Sequence, residues 1–279
     1  MVIIKKRIIA AVMAAIMICL SLTGCHRKQP EPAPVDNTVR ITFREGSTVL
    51  DIAKKLEDNN VCSADEFIEA CKTIPEGYDR LFTGVSKADK VFVLEGYLFP
   101  DTYEFYYGEN VPSVISRFLK QTNAKITDDD LARTNQLGMT LDEVITFASV
   151  VQAEASITAE APKVASVFWN RLNSSDFPYI GSDVTRHYIE RTCKTYIEEN
   201  GLNYNMLFGS YCTNDGYSLK TRGLPSGAIC NPGYECISAV LHPASTDYLY
   251  FFTDPDGGFH YNHTYSAHQS EYNKLTYGK

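Results

Sequence analysis

One glutamate near the middle of the chain has the surroundings expected of a catalytic acid. Glu154 comes at the end of Thr140–Ala155, a segment in which apolar residues recur at helical spacing. Phe147, Val150 and Val151 precede it by seven, four and three residues, so its carboxyl group is expected to lie beside an apolar surface. Burial and the negative end of the helix dipole both raise the pKa of a carboxyl group. A glutamate that stays protonated near neutral pH can act as a general acid.

The same position also suits an ordinary solvated glutamate, since most helical glutamates lie at the surface. Gln152, two residues earlier, is neutral and offers no salt bridge that would keep Glu154 ionised. A perturbed carboxyl group is only a statistical pointer to a functional site, so the residues alone leave both interpretations open.

Sequence patterns also predict the elements that position this glutamate. Thr140 and Glu143 match a capping box, which predicts that a helix begins there. A second helix begins at Pro162, which is tolerated in a first turn, and a turn at 181–183 follows it. The other predicted elements are a strand over 39–43, helices from 47, from 63 and over 111–123, a helix from 231 to about 241, a hairpin of strands over 248–253 and 259–265, and a last helix capped by Ser266.

The beginning of the chain predicts export and a lipid anchor. Basic residues at 5–7 are followed by the apolar run Ile8–Leu22, and Leu22–Cys25 reads as a lipobox. This pattern predicts a signal peptide over 1–24, lipidation of Cys25 and a proline-rich tether over 25–37. An uncut membrane helix is the alternative, although the apolar run is shorter than the roughly 20 residues that span a bilayer. Both interpretations place the rest of the chain outside the cytoplasmic membrane.

Charge and cysteine content indicate which partners and which cross-links the chain can have. The formal net charge of the 279-residue chain is -8, and removal of residues 1–24 takes three cations with it. An acidic chain of this kind is not expected to bind nucleic acid, because phosphate binding needs a basic surface. Six cysteines follow Cys25, and in an oxidising compartment the proximity of their positions suggests three disulfides. The suggested pairs are Cys62–Cys71, Cys193–Cys212 and Cys230–Cys236; buried thiols are the alternative.

The predicted fold class is α+β, with a small N-terminal subdomain and a mixed α+β catalytic domain. A strand and two helices over 38–75 resemble the LysM-like unit common in wall-associated proteins, and a plain packing subdomain is the alternative. The catalytic domain is expected over 76–279. It includes the aromatic, turn-rich segment 94–103, which is expected to pack over a functional cleft or to act as a hydrophobic plug.

Seven short motifs, in order, resemble those of the endolytic murein transglycosylases, the MltG/YceG-like family. They are LEGYLFPDTY at 94–103, ASVVQAEA at 148–155, KVASVFWNRL at 163–172, GLPSGAICNPG at 223–233, HPA at 242–244, YLYF at 248–251 and YNHTYSAH at 261–268. The resemblance implies a membrane-anchored lyase that cuts peptidoglycan glycan strands internally, between MurNAc and GlcNAc. It implies no cofactor or metal, and it implies action beside the peptidoglycan synthesis machinery.

The resemblance assigns the catalytic role to Glu154. The family motif reads ASI[IV]EKE[AT], and its second acidic position falls on Glu154, whereas the first is Gln152 here. That departure suggests that the first acid is dispensable. The family's YNTY element is matched only loosely around Tyr211, with an insertion after it, so sugar contacts in that loop are in doubt.

Further residues are candidates for holding the sugar. Asn170, Asp183 and Asn262 could polarise or bind its oxygens, but each could equally cap a helix, form a turn or close a hairpin edge. His268 is placed near the cleft by the resemblance. The remaining substrate-binding candidates are Glu95, Tyr97, Tyr103, Tyr211 and Pro225.

A lytic transglycosylase needs only one carboxyl group, because the sugar's own C6 hydroxyl attacks C1, whereas ordinary glycosidases need two. Two other functions compete with this interpretation. His260, His263 and His268, with or without Cys236, could be ligands of a zinc hydrolase, although His260 and His263 would lie on opposite faces of a strand. The chain could also be a non-catalytic peptidoglycan-binding lipoprotein.

Overall fold

In a computed structural model the chain has a mixed α+β fold, as the sequence predicts. The structure describes residues 37–86, 88–175, 177, 179–213 and 223–278. The predicted signal peptide, Cys25 and nearly all of the predicted tether lie outside these residues, as does the segment 214–222 that follows Tyr211. Within the described residues, no helix is both long enough and apolar enough to cross a bilayer.

A two-stranded antiparallel sheet and three helices form the first part of the fold. β1 pairs with β2 in a register that places Ile41 opposite Tyr103, although the two strands lie about sixty residues apart. The first helix begins after Thr48, which forms a capping box with Asp51, so the predicted cap at Ser47 is wrong by one residue. The elements of this part are β1 (Thr38–Thr42), α1 (Val49–Asp58), α2 (Ala64–Ala70), α3 (Asp79–Phe82) and β2 (Thr102–Tyr106).

The helix that ends in Glu154 lies at the centre of the core. It begins after Thr140, whose capping box with Glu143 is present as predicted. The sequence predicts one buried stripe, whereas every residue from Val144 to Val151 is buried, since neighbours cover the helix on nearly all sides. The helices around it are α4 (Val111–Lys125), α5 (Asp128–Gln136), α6 (Leu141–Glu154), α7 (Ala161–Leu172), α8 (Asp183–His187), α9 (Lys194–Glu199), α10 (Tyr204–Tyr211) and α11 (Tyr234–Leu241), with a 3-10 turn over Thr158–Glu160 and a π-helical segment over Tyr188–Thr192.

A hairpin and a final helix complete the fold. β3 (Tyr250–Thr253) and β4 (Phe259–Asn262) pair antiparallel as predicted, with Tyr250 opposite Asn262. The last helix, α12 (Tyr265–Tyr277), packs on this hairpin and has no fully buried residue. Its cap is Thr264, whose hydroxyl accepts a hydrogen bond from the Ala267 amide, and the predicted cap at Ser266 lies inside the helix.

The helix predicted from 231 begins three residues later, at Tyr234, with Gly233 as its cap. Before it, α10 is a helix that the sequence patterns did not predict. Asn231 is fully buried, where its side-chain amide donates to the Ser47 carbonyl and accepts from the Leu98 amide.

The predicted disulfides are not formed. All six cysteines from Cys62 onwards are described by the structure, and each is a free thiol. Burial raises the pKa of Cys62 to about 11 and that of Cys236 to about 12. Thiols with such raised pKa values are poor nucleophiles. Their burial indicates that these cysteines pack in the fold as small apolar groups.

Candidate active site

Glu154 is the last residue of α6, and its carboxyl group lies against the turn that precedes α8. The Ser182 hydroxyl donates a hydrogen bond to Glu154 Oε1. Ser182 is only 3% exposed and also caps α8 by accepting a hydrogen bond from the Val184 amide at 3.3 Å. The capping role fixes the hydroxyl in place, because the first turn of α8 depends on the same oxygen.

Opposing effects set the pKa of Glu154. Burial of the carboxyl group is the largest effect, and it raises the pKa above its ordinary value of 4.5. The hydrogen bond from Ser182 and the positive charge of Arg171 lower the pKa, whereas the negative charge of Asp183 raises it. The net direction is upward, as the apolar sequence neighbours of Glu154 predict. Burial therefore favours the neutral acid form, while Ser182 and Arg171 still stabilise the carboxylate.

Arg171 joins the elements that surround this carboxyl group. The residue is 7% exposed and lies on α7. Its Nε donates to the Leu249 carbonyl at 2.7 Å, and its Nη1 donates to the carbonyls of Ile180 and Gly181 at 2.5 and 3.2 Å. One guanidinium group thus fixes the Ser182 turn on one side and the start of the hairpin on the other. Arginine suits this task because its donors form a rigid fork.

Asn170 and Asn262 are held by contacts inside the protein. Asn170 Nδ2 donates to the carbonyls of Thr246 and Tyr248, each at 2.9 Å, so this residue fastens the loop before β3 to α7. Asn262 Nδ2 donates to Glu271 Oε2 at 2.8 Å, which ties β4 to α12. Both asparagines therefore position the hairpin beside the site.

Asp183 lies next to the Ser182 hydroxyl in the chain, and His268 is related to Glu154 through Arg171. Asp183 directly follows Ser182, its side chain is 53% exposed, and Arg186 Nε lies 3.4 Å from its Oδ1. The His268 ring lies 5.6 Å from the ring of Tyr250, and burial, followed by the charge of Arg171, lowers the pKa of His268 from its ordinary value of 6.5. Arg171 acts electrostatically on both Glu154 and His268, which links the two groups.

Four of the predicted sugar contacts lie in the core instead. Glu95 is 3% exposed, and Tyr97, Tyr103 and Tyr211 are 0%, 9% and 0% exposed. The Tyr97 hydroxyl donates to Asp142 Oδ1 at 3.0 Å, and the Tyr103 hydroxyl donates to the Phe99 carbonyl at 2.6 Å. The Tyr211 hydroxyl accepts from the Val91 amide at 3.4 Å. Side chains in these places have almost no surface to offer a glycan strand, and their contacts support the fold.

Pro225 lies at the opposite end of α6 from Glu154. Together with Thr140 and Glu143, at the start of that helix, it lines a cleft of about 540 Å³. A helix of this length spans about 20 Å. Pro225 and Glu154 therefore do not converge on one atom of a substrate.

Gln152, which replaces the family's first acid, has a structural contact. Its Oε1 accepts a hydrogen bond from the Gly233 amide at 2.9 Å, which joins α6 to the loop before α11. A carboxylate oxygen could accept the same hydrogen bond. The contact therefore explains why an amide and an acid can both serve at this position.

The residues that could suggest a metal site are dispersed. His260 contacts Asp254 at 2.8 Å and Glu271 at 3.1 Å through its two ring nitrogens, whereas His263 contacts Asp247 at 3.2 Å. Cys236 is 1% exposed in the core. Among the residues that the structure describes, no three His, Cys, Asp or Glu side chains gather as they would around a metal ion.

Sequence reasoning missed Ser182 and Arg171 as members of the site. A signal for Arg171 is present, because it follows Val167 and Phe168 by four and three residues on the apolar stripe of α7. A charged residue on such a stripe needs buried partners. Ser182 gives no comparable signal, since a serine before a short helix is an ordinary cap.

The chain is similar in sequence and in fold to known proteins. A family model described as the YceG-like family matches residues 18–274. A Bacillus subtilis (strain 168) protein named endolytic murein transglycosylase is 30% identical over 86% of this chain, and one from Streptococcus pneumoniae (strain D39) is 25% identical over 83%. The chain spans 66% and 39% of the lengths of these two relatives. A 2.6 Å crystal structure of a yceG-like protein from Listeria monocytogenes superposes with a TM-score of 0.65 at 24% identity, covering 83% of this chain and 75% of that one.

Proposed function

The chain belongs to the YceG-like family, and from this membership we propose that it is an endolytic lytic transglycosylase that cleaves MurNAc–GlcNAc bonds in peptidoglycan glycan strands. The names of the Bacillus and Streptococcus relatives support the activity. The observation that carries the proposal is the Glu154 carboxyl group, whose pKa is raised and which accepts a hydrogen bond from Ser182. The proposed products are strands that end in 1,6-anhydroMurNAc.

In the first step, neutral Glu154 donates its proton to the glycosidic oxygen. The bond from this oxygen to C1 of MurNAc breaks, and the oxygen keeps the bonding electrons and leaves as a hydroxyl group of GlcNAc. Burial favours the protonated form that this step requires. The carboxylate left behind accepts the Ser182 hydrogen bond and lies in the field of Arg171, both of which stabilise its charge.

In the second step, the oxygen of the C6 hydroxyl group of the same MurNAc bonds to C1 and closes the anhydro ring. The proton of that hydroxyl group passes to the Glu154 carboxylate, which returns the enzyme to its starting state. No water is consumed and no second carboxyl group is required, in contrast to ordinary glycosidases. A residue that is first an acid and then a base needs a pKa near the working pH. Burial raises the pKa and charge stabilisation lowers it, so the two effects must be roughly balanced.

The proposed sugar-binding residues are those around the Glu154 carboxyl group. Asp183 is exposed beside Ser182, and both His268 and Arg171 lie close to the Tyr250 ring. Asn170 and Asn262 hold the hairpin that carries Tyr250, so they act by positioning this wall of the site.

Glu154→Gln tests the assignment directly. The substitution keeps the shape and the hydrogen bond from Ser182 but removes the proton that the first step transfers. We expect release of anhydro-ended products from purified glycan strands, measured by mass spectrometry, to fall by roughly 100- to 10,000-fold. Glu160→Gln is the matched control, because Glu160 is a nearby carboxylate whose pKa is lowered by Tyr261. Wild-type rates in the Glu154→Gln chain would refute the assignment.

The same assay separates the two competing functions. A non-catalytic wall-binding protein would bind glycan strands and release no product. A zinc hydrolase would lose activity in EDTA and would give reducing ends rather than anhydro ends. Anhydro ends that persist in EDTA would exclude both.

The N-terminal part is proposed to be a LysM-like glycan-binding unit. The pairing of β1 with β2 around α1 and α2 supports this proposal, although the short helix α3 also lies between α2 and β2. The second strand of the unit is Thr102–Tyr106, so the unit would extend beyond the 38–75 range that the sequence suggests. Nuclear magnetic resonance titration with glycan fragments should shift amide signals in α1 and α2, and an unchanged spectrum there would contradict the proposal.

The chain is further proposed to be held at the cell membrane by a lipid on Cys25, or by an uncut helix, with its catalytic part on the extracytoplasmic side. The basic and apolar N-terminal pattern supports this localisation. Action beside the peptidoglycan synthesis machinery is part of the same proposal. Labelled fatty acid should be incorporated into the wild-type chain and not into Cys25→Ser, and equal labelling of the two would refute lipidation at Cys25.

A further inference from the structure

The last helix borders an aromatic cleft that shares His268 with the proposed sugar-binding residues. The cleft has a volume of about 370 Å³ and lies between β3 and α12. This volume falls within the range of small-molecule pockets. Its main lining residues are Phe252, Tyr265, His268, Gln269, Tyr272 and Asn273.

The side chains of α12 that line the cleft share one face of the helix. Tyr265 and Tyr272 are seven residues apart, and Gln269 and Asn273 are four apart, which are spacings of a single helical face. Tyr265 is 59% exposed, and Tyr277 at the end of the same face is 73% exposed. Tyr272 packs on Phe252 and His268, with ring centroids 5.3 and 6.4 Å apart, whereas Tyr265 and Tyr277 present their rings at the surface.

The polar groups of the cleft are neutral donors and acceptors. Gln269 and Asn273 are exposed, and each side-chain amide offers two donors and one acceptor. His268 Nδ1 is buried without a hydrogen-bond partner in the described structure. None of the lining residues is a lysine, arginine, aspartate or glutamate. A charged ligand would need a countercharge there, so the chemistry of the cleft suits a neutral, hydroxyl-rich ligand with apolar faces.

Tyr250 relates the cleft to the surroundings of Glu154. The Tyr250 ring lies 5.8 Å from that of Tyr265 and 5.6 Å from that of His268, both of which line the cleft. The same ring lies 5.7 Å from the guanidinium carbon of Arg171, whose charge acts on Glu154. The cleft and the Glu154 carboxyl group therefore share Tyr250 and Arg171 as close neighbours.

We propose that this cleft is a second saccharide subsite, which binds a sugar of the same glycan strand beyond the ring that is cleaved at Glu154. Tyr265 and Tyr272 would stack on the apolar faces of the sugar ring, and Gln269 and Asn273 would bind its hydroxyl and N-acetyl groups. The proposal rests on the proposed function, because it takes the ligand to be the glycan strand. It assigns to α12 a role in holding long strands rather than in bond cleavage.

The test uses Tyr265→Ala and Gln269→Ala in the full chain, with Tyr107→Ala as the control. Tyr107 is a comparably exposed tyrosine, 47% exposed, that follows β2 and does not line the cleft. Binding of long, uncrosslinked glycan strands is measured by calorimetry in the Glu154→Gln background, which prevents cleavage. We expect each cleft variant to bind roughly 10-fold more weakly, the effect of losing one stacking or amide contact. The control should bind as the parent does.

Kinetics with Glu154 intact supply a readout that a general loss of structure would not give. The cleft variants should raise KM for long strands roughly 10-fold with little change in kcat, because the lost contacts hold substrate equally before and during cleavage. Thermal unfolding of each variant checks that the fold is kept. Equal affinities of the cleft variants and Tyr107→Ala for long strands would overturn the subsite.

The two proposals fail in different ways. If the intact chain forms no anhydro ends but Tyr265→Ala still weakens strand binding, the proposed function is wrong and the cleft is a glycan-binding site without a cleaved neighbour. If anhydro ends form and the cleft variants bind and turn over long strands normally, the subsite is wrong and the proposed function stands.

Discussion

At the scale of single residues, the pKa of Glu154 results from competing contacts rather than from burial alone. Burial raises it, whereas Ser182 and Arg171 lower it. The two lowering contacts come from different segments, α7 and the turn before α8. Loss of either should therefore shift the acid–base behaviour of Glu154 while the carboxyl group itself stays in place.

Ser182→Ala tests this balance. Removal of the hydroxyl deletes a hydrogen bond that stabilises the carboxylate, so the pKa of Glu154 should rise further. Since kcat/KM requires the protonated form, the alkaline limb of its pH profile should move to higher pH. We also expect kcat to fall by roughly 10-fold, the worth of one hydrogen bond to a charged group. Ser182→Thr keeps a hydroxyl group and should restore the wild-type limb; an unmoved limb in Ser182→Ala would contradict this account.

At the scale of elements, Glu95 connects three segments that are distant in sequence. Its carboxyl group accepts hydrogen bonds from the Val49 amide at the start of α1, from the Tyr188 hydroxyl and from Asn231 Nδ2, at 3.0, 3.0 and 2.9 Å. Burial nevertheless raises the pKa of Glu95 from 4.5 to about 8. Desolvation thus outweighs three donors, which makes this junction sensitive to pH.

Glu95→Gln should remove a part of the pH dependence of stability. Between pH 4.5 and about 8, the folded chain holds a proton on Glu95 that the unfolded chain has already released. The free energy of unfolding of the wild type should therefore fall as pH rises through this range, with a slope of at most about 1.4 kcal/mol per pH unit from this group.

Urea denaturation at several pH values measures that slope. It should be smaller in Glu95→Gln and unchanged in Glu104→Gln, which alters an exposed glutamate on β2. Identical slopes in Glu95→Gln and the wild type would show that Glu95 does not carry the proton. If Glu95→Gln does not fold, the slope of the wild type still tests the prediction, because a flat profile over this range would contradict it.

At the scale of the whole molecule, one hydrophobic cluster extends from Ile41 to Leu241. The first strand, the central helix and the loop before α11 therefore share a core. Gly96 lies where they meet, with a φ of +90°. A Cβ atom there would lie 2.5 Å from Ile145 Cγ2 and 2.7 Å from Ala228 Cβ, so only glycine allows this approach.

Gly96→Ala should destabilise the molecule by about 3 kcal/mol or more, because it adds a steric clash to an unfavourable backbone conformation. Gly108→Ala is the matched control, since Gly108 also has a positive φ, +68°, but no atom within 4 Å of the added Cβ. We expect about 1 kcal/mol for the control. Urea denaturation, followed by fluorescence of the single tryptophan, Trp169, and by circular dichroism, measures both. Equal losses of unfolding free energy in Gly96→Ala and Gly108→Ala would mean that the contact between Gly96 and α6 is not tight.

Local patterns were sufficient for the element that carries the site. Thr140 and Glu143 marked the start of α6, apolar spacing marked its length, and Glu154 at its end had the raised pKa that its neighbours predict. The hairpin of β3 and β4 also followed from a short-range pattern. These features depend on residues a few positions apart, whose interactions the backbone geometry fixes. The catalytic role of Glu154 stays a prediction until the variants above are measured.

Only the tertiary structure shows which distant segments contact each other. Ser182 lies 28 residues from Glu154. Arg171 binds the carbonyl groups of Ile180 and Leu249, which lie before and after Ser182 in the sequence. The sequence placed Glu95 in a loop over a cleft, whereas the fold buries it. Periodicity reports which face of an element is apolar, but not which distant element covers that face. The sequence by itself therefore predicted the candidate acid and the helix that presents it, and tertiary packing decided which hydroxyl and guanidinium groups lower the pKa of its carboxyl group.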